Sequence, residues 1–180
     1  MTSLLLFNKP FGVLTQFRKN DPNERTLADY IDKPNFYPAG RLDKHSEGLL
    51  LLTNNGHLQQ QLTHPRQGKY KYYWVQVEGK PSKAMLLPLQ RGLITSSNQY
   101  LPAKVSIIDE PLIWERFPPI RKRQSIPTSW LEIGLCEGKN HQIRKMTAFI
   151  GFPTLRLIRF KIDRYELKNL KPGEYCLISI

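Results

Sequence analysis

The chain has 180 residues, enough for one large domain or two small lobes sharing a core, and its 40% hydrophobic and 11% aromatic content sets disorder aside. The run Leu49 to Leu52 is far too short to cross a bilayer, and the apolar start Leu4 to Phe7 meets Lys9-Pro10 too early for a signal peptide. Cys136 and Cys176 supply neither a disulfide framework nor a metal-ligand cluster, so a soluble, reduced, cytoplasmic protein is expected. With 27 Lys and Arg against 15 Asp and Glu, the net charge is +12 and the sequence pI about 9.8. Such a balance favours a polyanionic partner through phosphate contacts, without separating RNA from DNA or binding from catalysis.

Leu4 to Phe7 reads as a strand, ended by the turn Asn8-Lys9-Pro10-Phe11-Gly12, with Val13 to Phe17 as its continuation. Thr26 to Ile31 reads as a short helix capped by Thr26. Leu49 to Thr53 is a fully buried strand, followed by a helix over His57 to Leu62 that stops before Pro65. Tyr70 to Val77, rich in aromatic and β-branched residues, is the clearest strand. A helix over Ser82 to Leu89, a strand over Ala103 to Ile108 and a loop or hairpin excursion over Pro111 to Pro127 follow. That excursion carries Arg116, Arg121, Lys122 and Arg123. Trp130 to Leu135 alternates like a half-buried strand, and His141 to Ile150 has helical spacing up to Gly151. Leu155 to Ile162 and Tyr175 to Ile180 complete the strands.

Strands outnumber helices, and few connections are long enough for parallel crossovers. The expected class is therefore α+β, a mixed but mainly antiparallel central sheet with a few flanking helices. One domain is expected over residues 1–180, with room for two lobes around a central cleft.

The segment Gly40-Arg41-Leu42-Asp43-Lys44-His45-Ser46-Glu47-Gly48 leads a polar loop into the aliphatic run, holding Asp43 at the entrance of a rigid strand. Arg41 and Lys44 beside it favour a charged carboxylate. By pattern alone, a loop Asp that caps a turn or makes an ion pair is the more ordinary role.

Gly40-Arg41-Leu42-Asp43-x-x-Ser46-x-Gly48-Leu49-Leu50 resembles the signature of the RsuA/RluA pseudouridine synthases. Three more segments match in the expected order. Asn8-Lys9-Pro10-Phe11-Gly12-Val13 resembles the family's opening Lys-Pro motif, and Lys71-Tyr72-Tyr73 its Lys-x-Tyr strand. Glu137 to Met146, continuing through Gly151-Phe152-Pro153 to Arg159, resembles the third motif of the RsuA branch. Members of that branch commonly carry an S4 domain before the catalytic one; here the chain starts close to the opening motif, and no S4 domain is expected.

The resemblance implies an isomerase that converts a specific uridine of ribosomal RNA, 23S rRNA of the large subunit, to pseudouridine. It implies no metal and no small-molecule cofactor, since formula and redox state are unchanged. The implied catalytic residues are Asp43 as nucleophile, Arg144 as its paired cation and Tyr73 to stack on the target base. Arg41, Lys71, Gln142 and Leu157 are the implied substrate-binding residues. Each has a plainer alternative: Arg41 a local ion pair with Asp43, Arg144 a solvent-exposed helix face, Tyr73 and Leu157 the core. His141 and Gln142 are alternatively residues that orient the third motif's loop. Lys9, Arg18, Lys19, Arg25 and the basic excursion are expected to contact phosphates as a set. A monomer is expected. The competing reading is a catalytically silent RNA-binding or ribosome-assembly module on the same fold. A methyltransferase or nuclease would need a methyl-donor loop or metal-binding carboxylates, and the sequence offers neither.

Overall fold

The structure, a computed structural model, describes residues 2–64, 68–121 and 123–180. Lys122 of the basic excursion and Pro65, the expected helix stop, lie outside the described residues. The chain divides into two compact units, residues 1–69 with 159–180, and residues 70–158.

In the first unit the chain forms β1 (Ser3–Lys9), β2 (Val13–Leu14), β3 (Arg25–Thr26), β4 (Tyr37–Pro38), β5 (Glu47–Thr53) and α1 (Gly56–Thr63). The second unit holds β6 (Lys71–Glu78), α2 (Leu87–Arg91), β7 (Leu93–Ile94), β8 (Gln99–Tyr100), β9 (Lys104–Ile108), β10 (Thr128–Leu135) and α3 (Gln142–Phe149). Strand β11 (Thr154–Ile162) starts in the second unit and ends in the first, followed by β12 (Tyr165–Glu166) and β13 (Tyr175–Ser179).

The first unit is built on β1, which pairs antiparallel with β13 on one side and β5 on the other; Leu6 stands opposite both Cys176 and Leu51. Both central strands are aliphatic at consecutive positions because both faces are covered. Leu5, Phe7, Leu50 and Leu52 point into one cluster with Leu27, Ile31, Phe36 and Leu42. Their neighbours Leu4, Leu49 and Leu51 are equally inaccessible on the other face. Short β4 pairs antiparallel with the end of β5, while β2 and β3 pair parallel. Helix α1 starts at Asn55, whose side-chain oxygen accepts the Leu58 N–H at 3.0 Å, an ordinary N-cap.

In the second unit β10 pairs antiparallel with β6 and β9. The period of two sends Tyr73, Val75 and Val77 of β6 and Leu131, Ile133 and Leu135 of β10 to one face. There they meet Ile143 and Met146 of α3, one turn apart on the same side of the helix. The fold is thus α+β, with a mixed, mainly antiparallel sheet and flanking helices.

Some elements differ from expectation. The continuation after Gly12 is only the two residues of β2, taken up by parallel pairing with β3. Thr26 to Ile31 contains a single 3-10 turn, Leu27–Asp29, whose Asp29 carboxylate accepts the Thr26 N–H at 2.8 Å. The helix expected over Ser82 to Leu89 splits into a 3-10 turn, Ala84–Leu86, and α2, with Pro88 in the first turn where its missing N–H costs nothing. The hairpin of β7 and β8 was not anticipated.

Candidate active site

The signature segment takes its rigidity from β5. Ahead of that strand, the Ser46 N–H donates to the Asp43 carbonyl at 3.0 Å, closing a turn over Asp43–Ser46. Asp43 itself is half-buried, and Arg41, Lys44 and His45 around it are exposed. His45 stacks on Phe11 with ring centroids 5.3 Å apart.

Three other segments hold this turn. The preceding residue, Leu42, puts its side chain into the core, and Thr15 brackets its backbone. The Thr15 hydroxyl donates to the Leu42 carbonyl at 2.6 Å and accepts the Leu42 N–H at 3.2 Å. The Gly12 N–H donates to the Lys44 carbonyl at 2.8 Å. Lys9 is fully buried; its ammonium donates to the carbonyls of Val13 at 2.8 Å, Pro10 at 3.0 Å and Lys44 at 3.4 Å. From the other side, buried Arg159 donates through Nε to the Leu49 carbonyl at 2.8 Å and through Nη1 to the Arg41 carbonyl at 3.2 Å. Gly48 lies against the Arg159 backbone at φ +104°, and a Cβ there would run into the Arg159 carbonyl oxygen. Gly48 of the signature is therefore a steric necessity.

The Lys9 ammonium sits in an unfavourable electrostatic environment. Burial pushes its pKa down from 10.5 to about 7; the carboxylates of Glu47 and Asp43 oppose the shift, and Arg159 and Arg25 reinforce it. Lys9, expected among the phosphate contacts, is instead an internal brace, because its three donors are taken by carbonyls and none of it reaches solvent. Of its companions, Lys19 pairs with Asp29 at 2.6 Å, lowering that carboxyl's pKa, and Arg25 donates to the Phe11 carbonyl at 2.8 Å. Arg18 is exposed. Among the described residues, Arg41 makes no ion pair with Asp43; its carbonyl serves Arg159 while its side chain is exposed.

The remaining candidates belong to the second unit. Tyr73 is 8% exposed and Leu157 is 6% exposed, and both sit in the cluster formed with Ile143 and Met146. Tyr72 is on the opposite face of β6, where its ring stacks on Tyr70 at 5.9 Å and Lys104 lies over both. Lys71 begins β6 and is half-buried. Arg144 is half-buried on α3 while its neighbour Lys145 is exposed, so Arg144 is not a fully solvated helix-face residue.

Gln142, at the start of α3, is buried, with both ends of its amide engaged. Its oxygen accepts the Lys139 N–H at 3.0 Å and its nitrogen donates to Glu137 at 2.7 Å. The same Glu137 oxygen accepts the Leu101 N–H at 2.8 Å, and Lys139 donates to the Gln99 carbonyl, tying the third motif's loop to the hairpin of β7 and β8. Gln142 thus holds the loop that precedes Arg144. In the basic excursion, Arg116 folds back on the Pro118 and Pro119 carbonyls, and exposed Arg123 reaches Glu78 at 3.7 Å.

The sequence assigns no role to Thr15, nor to Arg159 beyond its place at the end of the third motif, and it misplaces Lys9 among the phosphate contacts. Among the described residues no three His, Cys, Asp or Glu side chains gather as metal ligands, and no helix is long and apolar enough to cross a membrane.

The sequence profile described as RNA pseudouridylate synthase matches residues 3–149. The chain is 51% identical over 177 residues to ribosomal large subunit pseudouridine synthase E of Vibrio vulnificus, covering 98% of this chain and 75% of that protein. It is 47% identical over 174 residues to the protein of the same name in Xanthomonas campestris pv. campestris, covering 96% and 93%. A solved pseudouridylate synthase superposes with a TM-score of 0.82 at 24% identity, covering 99% of this chain and 71% of that one, a likeness of fold. With the profile running from the first strand to the end of α3 and relatives of 47–51% identity over nearly the whole chain, the chain belongs to the RNA pseudouridylate synthase family and is an RNA-modifying isomerase.

Proposed function

We propose that this isomerase converts a uridine of large-subunit ribosomal RNA, in 23S rRNA, to pseudouridine with Asp43 as the covalent nucleophile. The observation that carries the substrate is the 51% identity, over 98% of the chain, to a protein named for the ribosomal large subunit. What supports the nucleophile is the contrast within the signature turn: the backbone on both sides of Asp43 is pinned, whereas its carboxylate is half-buried beside exposed cations.

The reaction breaks the N1–C1′ bond, turns the base and joins C5 to C1′; the C5 proton leaves and N1 gains one, so the formula is unchanged. One carboxylate suffices for the covalent step, by bonding either ribose C1′ or uracil C6. Arg144 would pair with that carboxylate, its planar guanidinium being suited to two-pronged contact. Tyr73 would stack on the base and Leu157 would pack against it, replacing part of the stacking lost when the uridine leaves its helix. Arg41 would contact the RNA at the vacated stack or a phosphate, and Lys71 would assist at the start of β6. Gln142 would act as a positioning residue, because its amide is engaged within the loop.

Tritium release from rRNA carrying 5-tritiated uridine tests the nucleophile. Asp43→Asn and Asp43→Ala should bind RNA like the wild type and release no tritium; an active Asp43→Asn enzyme removes the assignment. Arg144→Ala should lower kcat by more than it raises KM, and an effect on affinity alone would make Arg144 a phosphate contact. Mapping pseudouridine in rRNA from a deletion strain, with and without the gene restored, identifies the site; an intact set of sites would refute the rRNA assignment.

A further inference from the structure

We propose that Thr15 is a positioning residue for the isomerisation, setting the attack geometry of Asp43 through the Leu42 backbone. This rests on Asp43 being the nucleophile. Leu42 lies outside every strand, so its N–H and C=O have no ladder partner. Both are taken by one hydroxyl, which donates to the carbonyl at 2.6 Å and accepts the N–H at 3.2 Å. The Leu42 N–H belongs to the peptide plane joining Arg41 to Leu42, and the Leu42 carbonyl to the plane joining Leu42 to Asp43. One side chain therefore fixes two consecutive planes, the second ending at the Asp43 nitrogen.

The next plane is fixed as well, since the Asp43 carbonyl accepts the Ser46 N–H at 3.0 Å. With the planes on both sides of its Cα held, the Asp43 carboxylate keeps only its side-chain torsions. A nucleophile must meet its carbon within a narrow range of distance and angle, and an error of about 1 Å costs on the order of 100-fold in rate.

The rest of the unit does not depend on this clamp. The Leu42 side chain is anchored independently among Leu5, Phe7, Leu50 and Leu52, and Thr15 itself is only half-buried. Removing the hydroxyl should free the peptide plane joining Leu42 to Asp43, while the Arg41 carbonyl stays held by Arg159 and β1 and β5 stay in place. That separates a positioning role from a structural one.

The test compares Thr15→Val, which keeps the shape and loses the hydroxyl, with Thr15→Ser, which keeps the hydroxyl. Full-length proteins are assayed by tritium release under saturating and subsaturating rRNA. Thr15→Val should lower kcat by about 10- to 100-fold with KM and RNA affinity within about twofold, and Thr15→Ser should recover most of the rate. A wild-type kcat in Thr15→Val, equal losses in both variants, or a loss confined to KM would overturn the proposal.

Amide hydrogen exchange supplies a readout without turnover. The Leu42 amide should be protected in the wild type and exposed in Thr15→Val, while the amides of Leu50 and Leu52 stay protected in both. If Thr15→Val does not fold, Leu42 exchange in the wild type and Thr15→Ser decides, and rapid exchange there overturns the proposal. Asp43→Asn in the same assay separates the two ideas. Its activity would remove the nucleophile reading, whereas an inert Asp43→Asn beside a fully active Thr15→Val would remove only the role of Thr15.

Discussion

Lys9 shows how much of the signature turn depends on single buried polar groups. Its folded pKa of about 7 lies below the ordinary 10.5, so between those values the unfolded chain binds more protons than the folded one. Stability should therefore rise with pH across roughly that window, with the burial penalty complete below its lower edge and absent above its upper edge. The three carbonyl acceptors favour the protonated amine and limit the size of the effect, which should reach on the order of a few kcal/mol. Lys9→Met keeps the stem and removes the titration. Denaturant unfolding at pH 7, 8, 9 and 10 should show the wild type gaining stability relative to Lys9→Met as pH rises; parallel curves would show that Lys9 does not titrate in that range. Gly48 is tested by Gly48→Ala. The substitution combines a left-handed φ with a collision against the Arg159 backbone, so a loss of about 3 kcal/mol or more in urea unfolding is expected.

At the scale of elements, the third motif depends on one carboxylate oxygen. Glu137 accepts from both Leu101 and Gln142, so it fixes the start of α3 to the segment after β8. Glu137→Leu should cost about 1–3 kcal/mol in thermal or urea unfolding by leaving the Gln142 amide and the Leu101 N–H without their acceptor. It should also lower kcat through the displaced helix that carries Arg144. An unchanged stability would mean that the loop holds without Glu137.

The same elements explain what a sequence can and cannot reveal. Strands β1, β5, β6 and β10 were legible because aliphatic and aromatic runs of this length seldom serve outside a core, and α3 because Ile143 and Met146 recur at helical spacing before a glycine. The hairpin of β7 and β8 has two residues in each strand, too few to show any period. Lys9 was misread because lysine is ordinarily a surface residue, and only the structure shows three carbonyls converging on its ammonium. Thr15 and Arg159 act through backbone atoms of residues distant in sequence, a relation that leaves no local pattern. The signature itself was legible only through its resemblance; its Gly48 has a steric reason, contact with the Arg159 backbone.

For the whole molecule, the net charge of +12 needs dividing into cations that hold the protein together and cations left for RNA. Lys9 and Arg159 are internal, Lys19 pairs with Asp29, Lys69 with Asp163 and Lys161 with Glu166. Arg18, Arg41, Lys44 and Lys145 are exposed. If several such side chains contact phosphates of the substrate RNA, log Kd should rise linearly with log salt, with a slope of roughly 0.7 per phosphate contact on single-stranded RNA and 0.9 on a duplex. Replacing Arg18 and Lys44 together by Gln should reduce that slope by about 1 to 2 and weaken binding most at low salt. Replacing the internally paired Lys161 by Gln should leave it unchanged, a contrast that net charge alone does not predict. Filter binding of an rRNA fragment between 50 and 300 mM potassium chloride measures both, and equal slope changes per charge removed for exposed and paired cations would mean that only the total charge matters.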